Sequence, residues 1–484
     1  MKKIFNIIIK YSSLLLPGII LLIIAIFNSF MYIGLVEDGA HHFFESLTCD
    51  NFLLGHEGIN ILPYNLRYFP NILSHISIGI AVNCFGVFDI KYLVYIFTFA
   101  SYLQPIIFLG IVYFNIPKNR KDNFQIILLS FLMCFAFMTY QIWSENLMTG
   151  LFLWIIFVIY YYTDFDKLTV FNKFCIVIFS FMLISSHQMV LFFIPILFII
   201  AVKKHINTQK IMISSYIVLI LSYVFFAVAL VFNIPYIFSL TDVYKDYVTF
   251  SSFFNIDFLL FLILIMIALI LSLFKYNKKH NLMKKVILFG VSVYILYILL
   301  FDIPIQGKFP SRIIGFYIPL FFLMFIICID FLKITIEYKY IRIINAVLCL
   351  LILLNTVYYG LFWKQYLKSI NQYIVDNKAI TVNLDEQYEG SYPILTGIND
   401  KQKRYPVKFY TCHPGYILYI LIFIEKLFNK YNFKDYISIK TPKSYRCNDP
   451  NHPTTHFIIR KKNVLKKYDI DVDSLVKVNN FVLQ

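Results

Sequence analysis

Charge is what this chain has least of. Asp, Glu, Lys and Arg together make up 14% of its 484 residues, where a soluble domain carries about 25%. Acidic residues are the scarcer half, 27 against 43 Lys and Arg. None of the eight cysteines stands in a CxxC spacing, which argues against a zinc ribbon or a thioredoxin-like pair. Glycine-rich phosphate loops, Walker patterns and repeats of fixed period are also missing, so the sequence gives no sign of a nucleotide-binding fold.

What remains is apolar. The chain is 60% hydrophobic and 19% aromatic, with a mean hydropathy of +0.71. Many runs reach the roughly 20 residues that a spanning helix needs. The composition is that of an integral membrane protein with several spans. Its net charge of +16 then calls for no nucleic acid, because basic residues flank membrane helices on the cytoplasmic side. Lys2 and Lys3 precede an apolar stretch too long for a signal peptide and without a small-residue cleavage site, which reads as an uncleaved first helix.

Candidate spans are 11–33, 92–115, 123–142, 147–163, 174–186, 189–202, 211–233, 257–274, 286–302, 313–332 and 343–363. Basic clusters such as Lys118/Arg120/Lys121, Lys203/Lys204/Lys210 and Lys275/Lys278/Lys279 fall in alternate loops. That alternation places the N-terminus in the cytoplasm and the acid-rich loops outside. Residues 34–91 become one long first outer loop with surface-lying helices, since the run His75–Phe88 is too short to span. Residues 174–202 read either as one tilted helix or as a hairpin bent at Ser185-Ser186-His187-Gln188, and the hairpin keeps the parity. The transmembrane part is therefore 1–364, with about eleven spans. Residues 365–484 form a small exported α+β domain, in which Tyr416–Phe428 reads as an amphipathic or core helix. Cys134, Cys175, Cys328 and Cys349 sit in apolar runs. Cys412 and Cys447 lie in the exported part, where they can pair.

This topology brings the isolated polar groups to the outer face. Glu37 and Asp38 follow the first span, with His41 and His42 close behind. Glu145 stands in the turn between spans three and four, His187 at the tip of the short hairpin, and Arg312 at the entry to a late span. Each has a structural explanation as well. Acidic groups cap helices, a histidine packs with a hydrogen bond, and an interfacial arginine snorkels. The case for chemistry rests on their shared level, because ionisable groups at a membrane boundary are costly unless solvated or used.

The acidic pair after the first helix, the long first outer loop and the Ser144-Glu145 turn followed by Leu147–Tyr162 resemble the GT-C superfamily of membrane glycosyltransferases. So do the basic residue entering a late helix and the exported C-terminal part. The likeness covers roughly residues 1–365 as a layout, with Glu-Asp where many members show Asp-Asp or a lone Asp. It implies transfer of a sugar from a polyprenyl-phosphate carrier to a glycan, lipid or protein acceptor of the cell envelope, outside the cytoplasmic membrane. Asp38 or Glu37 would be the base. Arg312 and His187 would hold the carrier phosphate, with Glu145, His41 and His42 as further substrate contacts. Carboxylates of this kind can hold magnesium or manganese, yet no dedicated metal cage is visible. The alternatives are a transporter or flippase for lipid-linked saccharides, and a polymerase or ligase that uses the same donors.

Overall fold

The computed structural model describes residues 2–36, 38–48, 72–116, 124–138, 145–162, 168–184 and 338–377. In the C-terminal region it describes 380–388, 392–397, 404–406, 416–428, 437–440 and 461–479, with a few isolated positions besides. Apart from such positions, the spans expected between 189 and 332 lie outside the described residues, as does the Cys412/Cys447 pair.

The described part up to residue 377 is helical. Helices α1 (Lys2–Phe30), α2 (Asp38–Thr48), α3 (Ile72–Phe85), α4 (Ile90–Asn115), α5 (Phe124–Met138), α6 (Glu145–Tyr162) and α7 (Val170–Ile184) precede a long helix α8 (Tyr338–Asn377). Among the described residues, two helices are long and apolar enough to cross a membrane, Ile90–Asn115 and Ile341–Asn377. On the second, Ile343, Ile344, Val347, Leu350, Leu351 and Leu354 are exposed. A helix apolar on its outer face as well as its inner one suits a lipid environment better than water.

Long-range contacts fix how these helices run. Tyr32, just past α1, stacks on Tyr95 near the start of α4 with ring centroids 5.6 Å apart. Trp363 of α8 donates from Nε1 to the Tyr32 carbonyl at 3.0 Å, and Lys364 reaches the Phe30 carbonyl. The end of α1, the start of α4 and the later part of α8 therefore share one level. At the other end of α4, Asn115 accepts from Asn172 of α7 at 2.7 Å, and Tyr113 meets Phe124 of α5. Asn345, early in α8, donates to the Gln125 carbonyl at 2.9 Å. Buried amides of this kind tie neighbouring helices together where few other polar partners exist.

The helix expected over 343–363 does not stop there. It continues to Asn377, past the boundary drawn at 364. Beyond Trp363 the sequence changes from apolar all round to amphipathic, and Leu367, Ile370 and Ile374 keep one buried stripe. That spacing keeps the apolar residues on one face of a continuing helix.

Helix α9 (Tyr416–Phe428) follows, nearly all of it buried from Tyr419 to Leu427. The backbone of β1 (Ile380–Tyr388), β2 (Tyr392–Gly397), β3 (Arg404–Pro406), β4 (Ile437–Lys440) and β5 (Val476–Asn479) pairs in the order β3-β2-β1-β4-β5. Strand β1 is antiparallel to β2 and parallel to β4, which is parallel to β5.

Candidate functional site

Helix α1 ends because Tyr32 adopts a left-handed conformation, φ 60°. A left-handed residue breaks the helical run and turns the chain. The 3-10 turn Ile33–Leu35 then presses Gly34 against α4. A Cβ at Gly34 would collide with Oγ1 of Thr98 and lie 3.1 Å from its Cβ, so this close approach requires glycine. The chain re-enters a helix at Asp38, and α2 is buried along almost its whole length.

Among the described residues, three of the longer helices pack against α2. Phe43 packs edge-on against Phe97 of α4 on one side and Phe423 of α9 on the other. Phe44 and His41 both meet Tyr419 of α9, at 4.6 and 5.5 Å between ring centroids. The third neighbour is α3. It leads through Asp89 and Gly86 (φ +64°) into α4 and packs back along it, with the Ser74 and Ser101 hydroxyls 2.5 Å apart. Asp89 starts α4 by accepting from the Lys91 amide at 2.8 Å, an ordinary N-cap.

Inside this enclosure lies a group of ionisable side chains. Glu45 sits one turn beyond His41 and His42 on the same helix face. Its Oε1 is 3.2 Å from Nε2 of His41, and its Oε2 is 3.4 Å from Nδ1 of His42. His75 of α3 completes the group, so that one donor atom each of His42, Glu45 and His75 lie within 4.8 Å of one another. All three are buried, at 4%, 7% and 6% relative exposure, while the His41 side chain is 27% exposed. Among the described residues this is the group whose donors could hold a metal ion.

The C-terminus of α2 is closed from far along the chain. The last carbonyls of a helix have no partner within it. Here Lys461 donates to the Thr48 carbonyl at 2.9 Å and Tyr468 to the Leu47 carbonyl at 3.0 Å. Burial pushes the Tyr468 phenol up to about 12, so it remains a donor at neutral pH. The Glu425 carboxyl on α9 is also raised, first by burial and then by Asp469, with Lys426 opposing.

The residues expected from sequence are placed unevenly. Asp38 is the first residue of α2 and Glu145 the first of α6, both described by backbone alone. His41 and His42 are brought together with Glu45. Glu37, His187 and Arg312 lie outside the described residues. Glu45 and His75 were not singled out from the sequence. The His-His-x-x-Glu spacing was the available signal for the first, but nothing local pointed to His75. Comparison of the chain with family models, curated proteins and solved structures gives no match.

Proposed function

We propose that this chain is a polytopic membrane glycosyltransferase of GT-C type, moving a sugar from a polyprenyl-phosphate carrier to an envelope acceptor. The observation that carries this reading is the position of Asp38. It opens a buried helix immediately beyond α1, near the level where α4 begins and α8 emerges. Two apolar helices long enough to span, and the apolar exposed face of α8, support the membrane setting. The finer topology belongs to the same reading: about eleven spans, a cytoplasmic N-terminus, a long first outer loop and an exported α+β C-terminal domain.

In this mechanism Asp38, or Glu37 beside it, accepts the proton of the acceptor hydroxyl as that oxygen attacks the anomeric carbon. The carbon–oxygen bond to the carrier phosphate breaks, and the phosphate leaves with the bonding pair. The transition state is oxocarbenium-like, as in glycoside hydrolysis, and gains from a base on the acceptor side. The guanidinium of Arg312 would stabilise the departing phosphate through its planar fork of donors, with His187 as a second contact.

The test is sugar transfer in membranes from labelled polyprenyl-phosphate sugars, with Asp38→Asn and Glu37→Gln compared at matched expression. Loss of a base should lower turnover by about 10²–10⁴-fold while donor binding persists. Wild-type protein that transfers nothing to a broad acceptor panel, yet moves the carrier across vesicles, would instead make the chain a flippase.

A further inference from the structure

We propose that His42, Glu45 and His75 bind a divalent metal ion of the zinc class. The ion would pin α3 to α2 and keep a fourth coordination position open to water or another oxygen ligand. The site shares His42 with the substrate contacts of the transferase reading, but it uses neither Asp38 nor Glu37 and holds whether or not sugar transfer is found.

The donor set argues for the metal class. Two imidazoles and one carboxylate suit zinc and its first-row neighbours, whereas magnesium and manganese favour all-oxygen shells. Three protein ligands of this composition leave room for one more in a tetrahedral shell.

The spacing of the donors fits an ion. Nδ1 of His42 and Oε2 of Glu45, which share a hydrogen bond here, lie 3.4 Å apart. Two ligands of a tetrahedral ion bound at about 2.0–2.1 Å stand roughly 3.3–3.4 Å apart. The three donors fall within 4.8 Å of one another, which leaves only a small closing motion for the widest pair.

The surroundings fit as well. Oε1 of Glu45 faces Nε2 of His41 at 3.2 Å, an outer contact that leaves Oε2 beside Nδ1 of His42 at 3.4 Å. Metal-binding carboxylates and histidines are commonly aimed by such partners. Part of the His41 side chain is exposed, which puts the solvent side of the group at His41. Two ligands come from one helix at i and i+3, and the third from a separate helix. An ion would therefore add a cross-link between two packed helices that residues 49–71 separate in sequence.

Full-length protein purified in mild detergent should be loaded with zinc, dialysed against a weak chelator and assayed for bound metal. Roughly one zinc per chain is expected, with X-ray absorption showing imidazole nitrogen and oxygen scatterers and no sulfur. Glu45→Gln and His75→Gln should each lower retained zinc at least tenfold while the protein stays monodisperse. Wild-type protein without zinc, a sulfur-containing shell, or variants that keep wild-type stoichiometry would overturn the assignment. Should a variant aggregate, the ligand shell seen in the wild-type absorption spectrum decides on its own.

Discussion

The Lys461 ammonium donates to the main-chain carbonyl of Thr48 at 2.9 Å, in a buried contact between residues 413 positions apart in sequence. It places a positive charge at the C-terminus of α2, where the helix dipole favours a cation. Lys461→Met should lower stability by about 1.5–3 kcal/mol, the range for a hydrogen bond from a charged donor. Thermal unfolding in detergent measures this, and an unchanged midpoint would mean the contact contributes nothing.

Tyr468 closes the neighbouring carbonyl and makes a pH prediction. Its ordinary value is 10.0, and burial raises it to about 12 in the fold. The folded protein therefore holds this proton more tightly than the unfolded chain does. The stability from the neutral phenol is complete below pH 10 and is lost as pH rises from about 10 toward about 12. Tyr468→Phe should remove that part of the alkaline decline and cost about 1 kcal/mol at neutral pH. Matched unfolding curves of the two proteins at pH 8 and pH 11 would show it.

Gly34 and Thr98 set the approach of the first turn to α4. Gly34→Ala should destabilise by about 1–3 kcal/mol through overpacking. Adding Thr98→Ala removes the hydroxyl in the way and should recover part of the loss. Additive losses in the double variant would show that the strain lies elsewhere.

At the far end of α4, Asn172 donates to Asn115 at 2.7 Å in a buried setting. Asn172→Ala leaves the Asn115 carbonyl oxygen without that partner, at a cost of about 1–3 kcal/mol. Proteolysis in detergent should then become faster near residues 115–172, and resistance equal to wild type would contradict the role given to this bond.

Helices that are apolar throughout were the legible part of the sequence. The span read as 92–115 is the helix Ile90–Asn115, and the one read as 147–163 is Glu145–Tyr162, because a run of apolar residues declares its own limits. The extension of α8 to Asn377 was less visible, since a membrane-length window ends where amphipathic spacing begins. Within the site, His41 and His42 stood out as adjacent titratable residues. Glu45 stands three residues past His42, a spacing that becomes contact only once the segment is helical. His75 and Lys461 could not be tied to α2 from sequence, because only tertiary packing brings them there.

The partners that close α2 also constrain the order in which the protein can be completed. A ribosome adds about 5–20 residues per second, so the 413 residues between Thr48 and Lys461 take roughly 20–80 s to synthesise. Throughout that interval α2 has been made while the donors that close its last carbonyls have not. Completion of α2 is therefore an event of late synthesis, and a helix made almost first is among the last to be finished.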